Sequence, residues 1–214
     1  MPPIPPVIRV FEDYAEEYDS WYSRNPVVFE NEVKAIKTLN LKGRGLEVGV
    51  GSGVFAARLK VEVGLDPARN MLLLARKRGV EVVRAVGEAM PFKDGCFDYV
   101  LMVVTLCFLE RVKEVLREVW RVLKRKGIFC NCIVPLNSRW GRFYSRRKDS
   151  VFYRFARFYT VEEAKRLMEH SGFKVTGYSA TLSFGPLDPP KPEEPIGEYR
   201  GRGFVCLKAV KTLC

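Results

Sequence analysis

Residues 45–53, which read GLEVGVGSG, decide how this chain folds. The stretch begins with a short apolar segment typical of a buried strand, and glycines then recur at Gly49, Gly51 and Gly53. Alternate glycines at a turn from strand to helix let the backbone approach a ligand, and they leave amide N–H groups free at the helix N-terminus. The stretch therefore predicts a strand, a ligand-binding loop and a helix, in that order.

The glycine spacing argues against a dinucleotide ligand. A dinucleotide-binding fingerprint needs its third glycine at position 54, which is Val54 in this chain. The spacing G-x-G-x-G, with Glu47 inside the strand and Asp66 at the end of the next one, instead suits a nucleoside without a pyrophosphate. In this interpretation Asp66 accepts hydrogen bonds from the ribose hydroxyls.

Strand and helix patterns alternate on both sides of this loop. Helices are predicted at 11–22, 27–40, 54–60, 66–78, 110–124 and from Thr160 to Gly172, and strands at 45–50, 61–65, 80–86, 97–104, 128–134, 173–182 and 204–210. Parallel strands need crossover helices, so the alternation predicts an α/β protein with a parallel sheet and helices on both faces. Asp66 and Pro67 are predicted to start their helix as N-cap and first helical residue, and Thr160 and Glu163 are spaced as a capping box.

We interpret the chain as a single domain, residues 1–214, because it has no internal repeat and no second core. Residues 1–25 form an N-terminal arm that could act as a lid, and 43–134 form the ligand-binding core. Residues 135–160 are a basic and aromatic insertion, and 161–214 supply a C-terminal helix and a strand pair.

The composition is that of a globular protein, with 47% hydrophobic and 29% charged residues. No apolar run reaches the roughly 18 residues that cross a bilayer, and the first residues lack the features of a signal peptide. We therefore expect a cytoplasmic protein without membrane contact. The absence of glutamine beside abundant Lys, Arg and Glu indicates a thermophilic source.

The cysteines and the single histidine predict no metal site. No two of the six cysteines form a C-x-x-C pair, and His170 is the only histidine. A cytoplasmic chain keeps its thiols reduced, so we expect six reduced cysteines. They are Cys96, Cys107, Cys130, Cys132, Cys206 and Cys214.

Four motifs, in order and at these separations, resemble the class I S-adenosylmethionine-dependent methyltransferases, particularly the small single-domain group of methyltransferase type 11. They are LEVGVGSG (46–53), GLDPARNML (64–72), GEAMPFKDGCFDYVLM (87–102) and LREVWRVLKRKGIF (116–129). The resemblance covers residues 8–135 well and the remainder loosely. It implies a Rossmann-like, doubly wound sheet of seven strands in the order 3-2-1-4-5-7-6, with strand 7 antiparallel.

The resemblance also implies where S-adenosylmethionine would bind. The residues that would hold it are Glu47, Gly49, Gly51 and Gly53 at its methionine part, Asp66 at its ribose, Pro67, Met71, Gly87 and Glu88 near its adenine, Thr105 after strand four, and Tyr14, Tyr18 and Trp21 as a cover. Val86 stands where relatives often have an aspartate. From the residues alone, simpler interpretations stay open. Asp66 could be only an N-cap, Glu47 a buried ion-paired residue, and the three aromatics the face that docks the arm.

The methyl acceptor is harder to predict. Transfer from a sulfonium is an in-line displacement that needs alignment more than a catalytic side chain, so we name no catalytic residue. Residues 104–108, VTLCF, lack the Asn/Asp-Pro-Pro-aromatic turn of enzymes that methylate exocyclic amines of bases. Cys107 is interpreted as a buried thiol rather than a nucleophile. The residues predicted to contact the molecule that accepts the methyl group are Cys107, Trp140, Tyr144 and Arg157.

Two kinds of methyl acceptor remain open, a small molecule and RNA. The insertion is the part of the sequence that bears on the choice between them. Residues 137–160 interleave arginines and aromatic residues, which could track phosphates and stack bases in RNA. We favour a lid whose aromatics face a small-molecule acceptor and whose arginines face water. The net charge of +11 would suit an anionic acceptor. Alternatives are an RNA methyltransferase and a non-catalytic protein that binds S-adenosylmethionine, although the intact glycines and Asp66 argue against the latter.

Overall fold

A seven-stranded sheet forms the centre of the computed structural model, which describes residues 5–212. Its strands are β1 (Gly45–Val48), β2 (Val63–Asp66), β3 (Glu81–Arg84), β4 (Phe97–Val103), β5 (Leu123–Ile133), β6 (Phe173–Thr181) and β7 (Phe204–Lys211). Their order is 3-2-1-4-5-7-6, and β7 runs antiparallel to both β5 and β6 while the other neighbours are parallel. The order and the orientation of strand 7 that the resemblance implied are confirmed.

Helices surround the sheet. They are α1 (Pro6–Asp13), α2 (Ala15–Arg24), α3 (Pro26–Lys37), α4 (Val54–Leu59), α5 (Arg69–Lys77), α6 (Val112–Val122), α7 (Arg139–Ser145) and α8 (Val161–His170). The Thr160 hydroxyl and the Glu163 carboxylate bind each other's backbone N–H, so the predicted capping box of α8 is confirmed. No helix within residues 5–212 is long and apolar enough to cross a membrane.

Apolar residues pack on both faces of the sheet, as the alternation of β4 illustrates. Leu101 and Val103 belong to one buried cluster, whereas Val100 and Met102 belong to the other. Successive side chains of a strand point to opposite faces, so a central parallel strand that is covered on both faces is mostly apolar. This arrangement holds the carboxyl ends of β1, β2 and β4 side by side, where the site described below lies.

Several predicted boundaries were wrong. The arm is not one helix over 11–22, because Tyr14 leaves the helical conformation and separates α1 from α2. Helix α5 begins at Arg69 with Ala68 as its N-cap, so Asp66 is the last residue of β2 and not a cap. Strand β5 begins at Leu123, five residues before its predicted start at 128.

The insertion also contains more regular structure than its sequence suggested. Helix α7 begins after Ser138, whose hydroxyl accepts the N–H of Gly141 at 2.9 Å, and a 3-10 turn covers Tyr153–Phe155. A serine N-cap is a helix signal. The basic and aromatic stretch therefore contains two short helical segments.

The expectation of fully reduced cysteines was wrong for one pair. Cys132 of β5 and Cys206 of β7 face each other across the antiparallel ladder and form a disulfide. They are 74 residues apart in sequence, and only the pairing of β5 with β7 brings them together. Cys96, Cys107 and Cys130 are free thiols, and Cys214 lies outside the described residues.

Candidate cofactor and acceptor site

A cleft opens at the carboxyl ends of β1, β2 and β4, where open α/β sheets bind their ligands. Of the predicted cofactor residues, those that line it are Gly49, Gly51, Asp66, Pro67, Met71, Gly87, Glu88, Thr105 and Tyr18. Those that do not line it are Glu47, Gly53, Tyr14 and Trp21. Most of the residues predicted from the sequence motifs therefore line a single cleft, and the four residues just named do not.

The three loop glycines have positive φ angles but different surroundings. A side chain at Gly51, where φ is +52°, would project into the cleft and meet nothing closer than Tyr18 at 3.9 Å. A Cβ at Gly49 would lie 2.3 Å from the Thr105 side chain, and one at Gly53 would lie 2.7 Å from Ala75. Gly49 and Gly53 are therefore required for internal packing, whereas Gly51 keeps space open for a ligand.

Asp66 links the glycine loop to the start of α5. Its Oδ2 accepts the Gly51 N–H at 3.0 Å and its Oδ1 accepts the Ala68 N–H at 2.9 Å. Burial raises the pKa of Asp66 to about 6, although both backbone hydrogen bonds oppose the shift. The carboxylate faces the cleft and is ionised at neutral pH, so it can accept hydroxyl hydrogen bonds from a sugar.

Glu47 lies beneath the loop rather than on the cleft surface. Burial, followed by repulsion from Asp66, raises its pKa well above the usual range, while a hydrogen bond from the Ala56 N–H lowers it. Its Oε2 has no hydrogen-bond partner among residues 5–212. The alternative of a buried ion pair is not supported, because none of the ion pairs formed by the described residues includes Glu47.

Sequence reasoning missed several residues of the cleft wall. Helix α1 contributes Ile8 and Phe11, and the segment after β4 contributes Val104, Phe108 and Arg111. The residues that follow β4 could have been found, because ligands bind beyond the carboxyl ends of such strands. The α1 residues carry no comparable signal, since an arm can dock in many ways.

Two features distinguish the wall after β4. Val104 has a φ of 52°, a left-handed conformation that is rare for a β-branched residue and is typical of functional sites. Arg111 lies 3.6 Å from Glu88, atom Nε to Oε1, and lies 2.9 Å from Glu114. Glu88 is thus held at the cleft edge by a cation.

Aromatic side chains of the arm and of the insertion pack together beside the cleft, and we call this group the aromatic lid. Phe152 packs against Phe11, Tyr14 and Tyr18, with ring centroids 5.6, 6.3 and 5.6 Å apart. Tyr14 is 40% exposed and touches the lid only from outside, whereas Trp21 packs on the core behind it. Of the three predicted cover residues, Tyr18 alone lines the cleft.

The predicted acceptor residues do not line this cleft. The Trp140 Nε1–H donates to the Phe184 carbonyl at 2.6 Å, and Arg157 is exposed, with its guanidinium 5.2 Å from the Tyr159 ring. Cys107 donates its S–H to the Val104 carbonyl at 3.3 Å, and burial raises the pKa of the thiol to about 12. Such a thiol is not a nucleophile at neutral pH. Tyr144 stacks on Tyr153 at 4.3 Å, behind the lid.

The basic side chains of the insertion lie on its outer surface. Arg142, Arg146, Arg147, Lys148 and Arg154 are exposed. Arg154 and Arg147 stack over Phe155 and Phe143, at 4.9 and 5.6 Å. These cations therefore remain in water, and two aromatic residues of the insertion, Phe143 and Phe155, pack beside them.

Known proteins similar to this chain include methyltransferases. A family profile described as a methyltransferase domain matches residues 46–131. An uncharacterised protein of Methanocaldococcus jannaschii is 38% identical over 205 residues, which cover 95% of this chain and 100% of the relative. A demethylmenaquinone methyltransferase of Thermotoga maritima is 28% identical, covering 79% of this chain and 88% of the relative.

A solved structure extends the similarity to three dimensions. The crystal structure of an S-adenosylmethionine-dependent methyltransferase from Thermotoga maritima, described as a possible histamine N-methyltransferase, has a TM-score of 0.93 and 37% identity. The match covers 96% of this chain and 100% of that one. The similarity therefore includes the arm, the insertion and the terminal strand pair as well as the glycine loop.

Proposed function

Because the chain belongs to the class I S-adenosylmethionine-dependent methyltransferases, we propose that it methylates a small molecule bound beneath the aromatic lid. The observation that carries this proposal is the contact of Phe152 with Phe11 and Tyr18, two rings that line the cleft. A lid of this kind excludes water from a compact acceptor, whereas a folded RNA would need an open approach.

The cleft fits the cofactor. Gly51 leaves room for a ligand against the main chain, and Asp66 offers an ionised carboxylate at the end of β2. The adenine would lie near Met71 and Pro67, with Glu88 at the edge of the cleft. When bound, S-adenosylmethionine supplies a methyl group on a positively charged sulfur. The chain's residues would hold the reacting groups in line and keep water out.

The relatives support a small acceptor. The names of the two methyltransferases described above refer to a quinone precursor and to histamine, both small molecules. The exposed cations of the insertion remain the feature that favours RNA, because Lys and Arg neutralise phosphates. We favour the small molecule, since Tyr144, Phe152 and Tyr153 of the insertion pack on other rings of the protein and are not open to stack on bases.

Labelled methyl transfer tests the proposal. The purified protein is incubated with methyl-labelled S-adenosylmethionine and, separately, with a small-metabolite extract and with total RNA, followed by mass spectrometry. We expect label in the metabolite fraction, and expect Arg142→Ala combined with Arg146→Ala to leave it unchanged. Label confined to RNA, lost in that double variant and suppressed steeply by salt, would refute the small-molecule proposal.

A further inference from the structure

Both ends of helix α5 are bonded to the N-terminal arm. At its start, the Asn70 backbone N–H donates to Glu12 Oε2 at 3.1 Å, and the Asn70 side-chain amide donates to the Glu12 carbonyl at 2.9 Å. At its end, the C-cap residue Arg78 donates from Nη2 to Asp19 Oδ2 at 2.8 Å. The arm is therefore attached at two points to the helix that also supplies Met71 to the cleft.

Each attachment adjoins an aromatic residue that lines the cleft. Phe11 directly precedes Glu12, and Tyr18 directly precedes Asp19. The rings of Phe11 and Tyr18 pack edge to face with their centroids 5.4 Å apart, and both rings line the cleft. Because neighbouring residues of a helix have fixed relative positions, holding Glu12 and Asp19 also holds the two rings in place.

Arg78 also holds the glycine loop. Its Nη1 donates to the Ser52 carbonyl at 2.9 Å, next to Gly51. One guanidinium therefore joins the loop against which the cofactor would lie to the helix that carries Tyr18. The planar fork of an arginine can make both hydrogen bonds at once, which the single nitrogen of a lysine cannot do in the same geometry.

The carboxylate of Asp19 depends on Arg78 for its counter-charge. Among residues 5–212, Asp19 forms an ion pair with Arg78 alone, and its Oδ1 is buried without a hydrogen-bond partner. The side chains of Asp19 and Arg78 are only 21% and 32% exposed. Removing one member of such a partly shielded pair leaves the other charge unbalanced, so the contact between the arm and α5 should weaken when either side chain is lost.

We propose that Arg78 is a positioning residue for cofactor binding, which couples the glycine loop to closure of the arm over the cofactor. Arg78 does not line the cleft, so it acts through Ser52 and Asp19 and touches no reacting atom. The cofactor leaves when the arm moves away from α5, and Arg78 opposes that movement. Loss of Arg78 should therefore speed cofactor dissociation more than it changes association. The inference concerns the cofactor and holds for any methyl acceptor.

Stopped-flow displacement of S-adenosylhomocysteine tests the coupling without turnover. We expect Arg78→Ala and Asp19→Ala each to raise the dissociation rate about tenfold, while the association rate changes by less than about twofold. The double variant should release the ligand no faster than Arg78→Ala, because both substitutions break the same contact between the arm and α5. Arg78→Lys should recover only part of the loss.

A surface ion pair supplies the matched controls. Glu30 of α3 and Arg58 of α4 lie 3.0 Å apart, and both side chains are 46% exposed. Glu30→Ala and Arg58→Ala remove a pair of the same chemical type that does not join the arm to α5. Both variants should therefore release S-adenosylhomocysteine at the wild-type rate.

Hydrogen exchange followed by mass spectrometry distinguishes this coupling from a purely structural role. In wild type, S-adenosylhomocysteine should slow amide exchange in the arm, residues 6–24, and in the glycine loop, residues 49–53. In Arg78→Ala the ligand should still protect the loop but should no longer protect the arm. If Arg78→Ala does not fold, Asp19→Ala is measured in its place, with the same expected result.

Three results would each overturn the inference. The first is a folded Arg78→Ala protein that releases S-adenosylhomocysteine at the wild-type rate. The second is a double variant in which the effects of the two single substitutions add. The third is full protection of the arm by the ligand in the variant. None of them bears on the identity of the methyl acceptor, so the proposed function and this inference can fail separately.

Discussion

The Asp66 carboxylate accepts the Gly51 amide N–H at 3.0 Å, which joins the end of β2 to the middle of the glycine loop. The same carboxylate also accepts the Ala68 N–H ahead of α5. One side chain thereby fixes the loop that would carry the cofactor and also faces the cleft. Removing the Asp66 carboxylate should therefore disturb the glycine loop and also remove a ligand-binding group from the cleft.

Asp66→Ala should weaken S-adenosylmethionine binding more than tenfold, because a charge-assisted hydrogen bond contributes about 1.5–3 kcal/mol. Calorimetry gives the affinity, and circular dichroism checks that the variant is folded. Asp13→Ala, an exposed acid of the arm, is the control and should bind normally. A folded Asp66→Ala protein of unchanged affinity would remove Asp66 from the cofactor site.

Cofactor affinity should also depend on pH through Asp66. Its pKa is raised to about 6 in the folded protein, and the ribose hydroxyls bind the ionised form. Affinity should therefore fall as pH decreases from about 7 to about 5, by up to about tenfold. Asp66→Asn should bind more weakly, with a flat profile over this range. Equal affinity of wild type at both ends would contradict the assignment.

Gly51→Val should abolish cofactor binding, because the added side chain would enter the open space of the cleft. Gly79→Val is the matched control, since Gly79 also has a positive φ, of +83°, but has no atom near its would-be Cβ. Both variants should lose about 1–2 kcal/mol of folding free energy from the left-handed backbone. If both bind the cofactor equally well in calorimetry, the loop does not face the ligand.

The sequence predicted the parts of the site that depend on local pattern. The glycine loop, Asp66 at the end of β2 and the capping box of α8 each follow from residues close together in the chain. The start of α5 was missed because the Asp66 carboxylate is committed to Gly51, a contact across 15 positions that local helix signals do not contain. The Cys132–Cys206 disulfide was missed for the same reason, since it depends on how β7 pairs with β5.

The buried acid Glu32 was missed although one signal was present. Phe29, Val33 and Ile36 recur at helical spacing along α3, and Glu32 lies on the same face as they do. Periodicity therefore placed Glu32 toward the core. Whether that face of α3 is covered depends on how the helix packs against α2 and β6, which only the folded chain shows.

Phe152→Ala should speed cofactor release, because Phe152 forms the outer contact with Phe11 and Tyr18. Aromatic pairs contribute about 0.5–1.5 kcal/mol each, so we expect the dissociation rate to rise about tenfold in stopped-flow displacement. Phe155→Ala, three residues away and 37% exposed, should leave the rate unchanged. Equal rates in all three proteins would mean that the insertion does not cover the cleft.

Glu32→Gln should stabilise the protein, and the gain should grow with pH. The pKa of Glu32 is about 8 when folded and 4.5 ordinarily, so the folded state binds this proton more tightly than the unfolded state does. The favourable contribution of Glu32 is therefore present at low pH and is lost as pH rises from about 4.5 to about 8. A glutamine at position 32 does not ionise, so the variant does not lose stability in this way as pH rises. The difference in unfolding free energy should widen over that window by an amount on the order of 3 kcal/mol.

Urea unfolding of wild type, Glu32→Gln and Glu30→Gln at intervals of pH measures this difference. Glu47 and Asp66 have pKa shifts of the same sign, so wild type alone would not isolate Glu32. The difference in unfolding free energy between wild type and Glu32→Gln isolates Glu32, because Glu47 and Asp66 are present in both proteins. Parallel curves for wild type and Glu32→Gln would show that Glu32 keeps its ordinary pKa. The Glu32 carboxylate would then be hydrated in the folded protein.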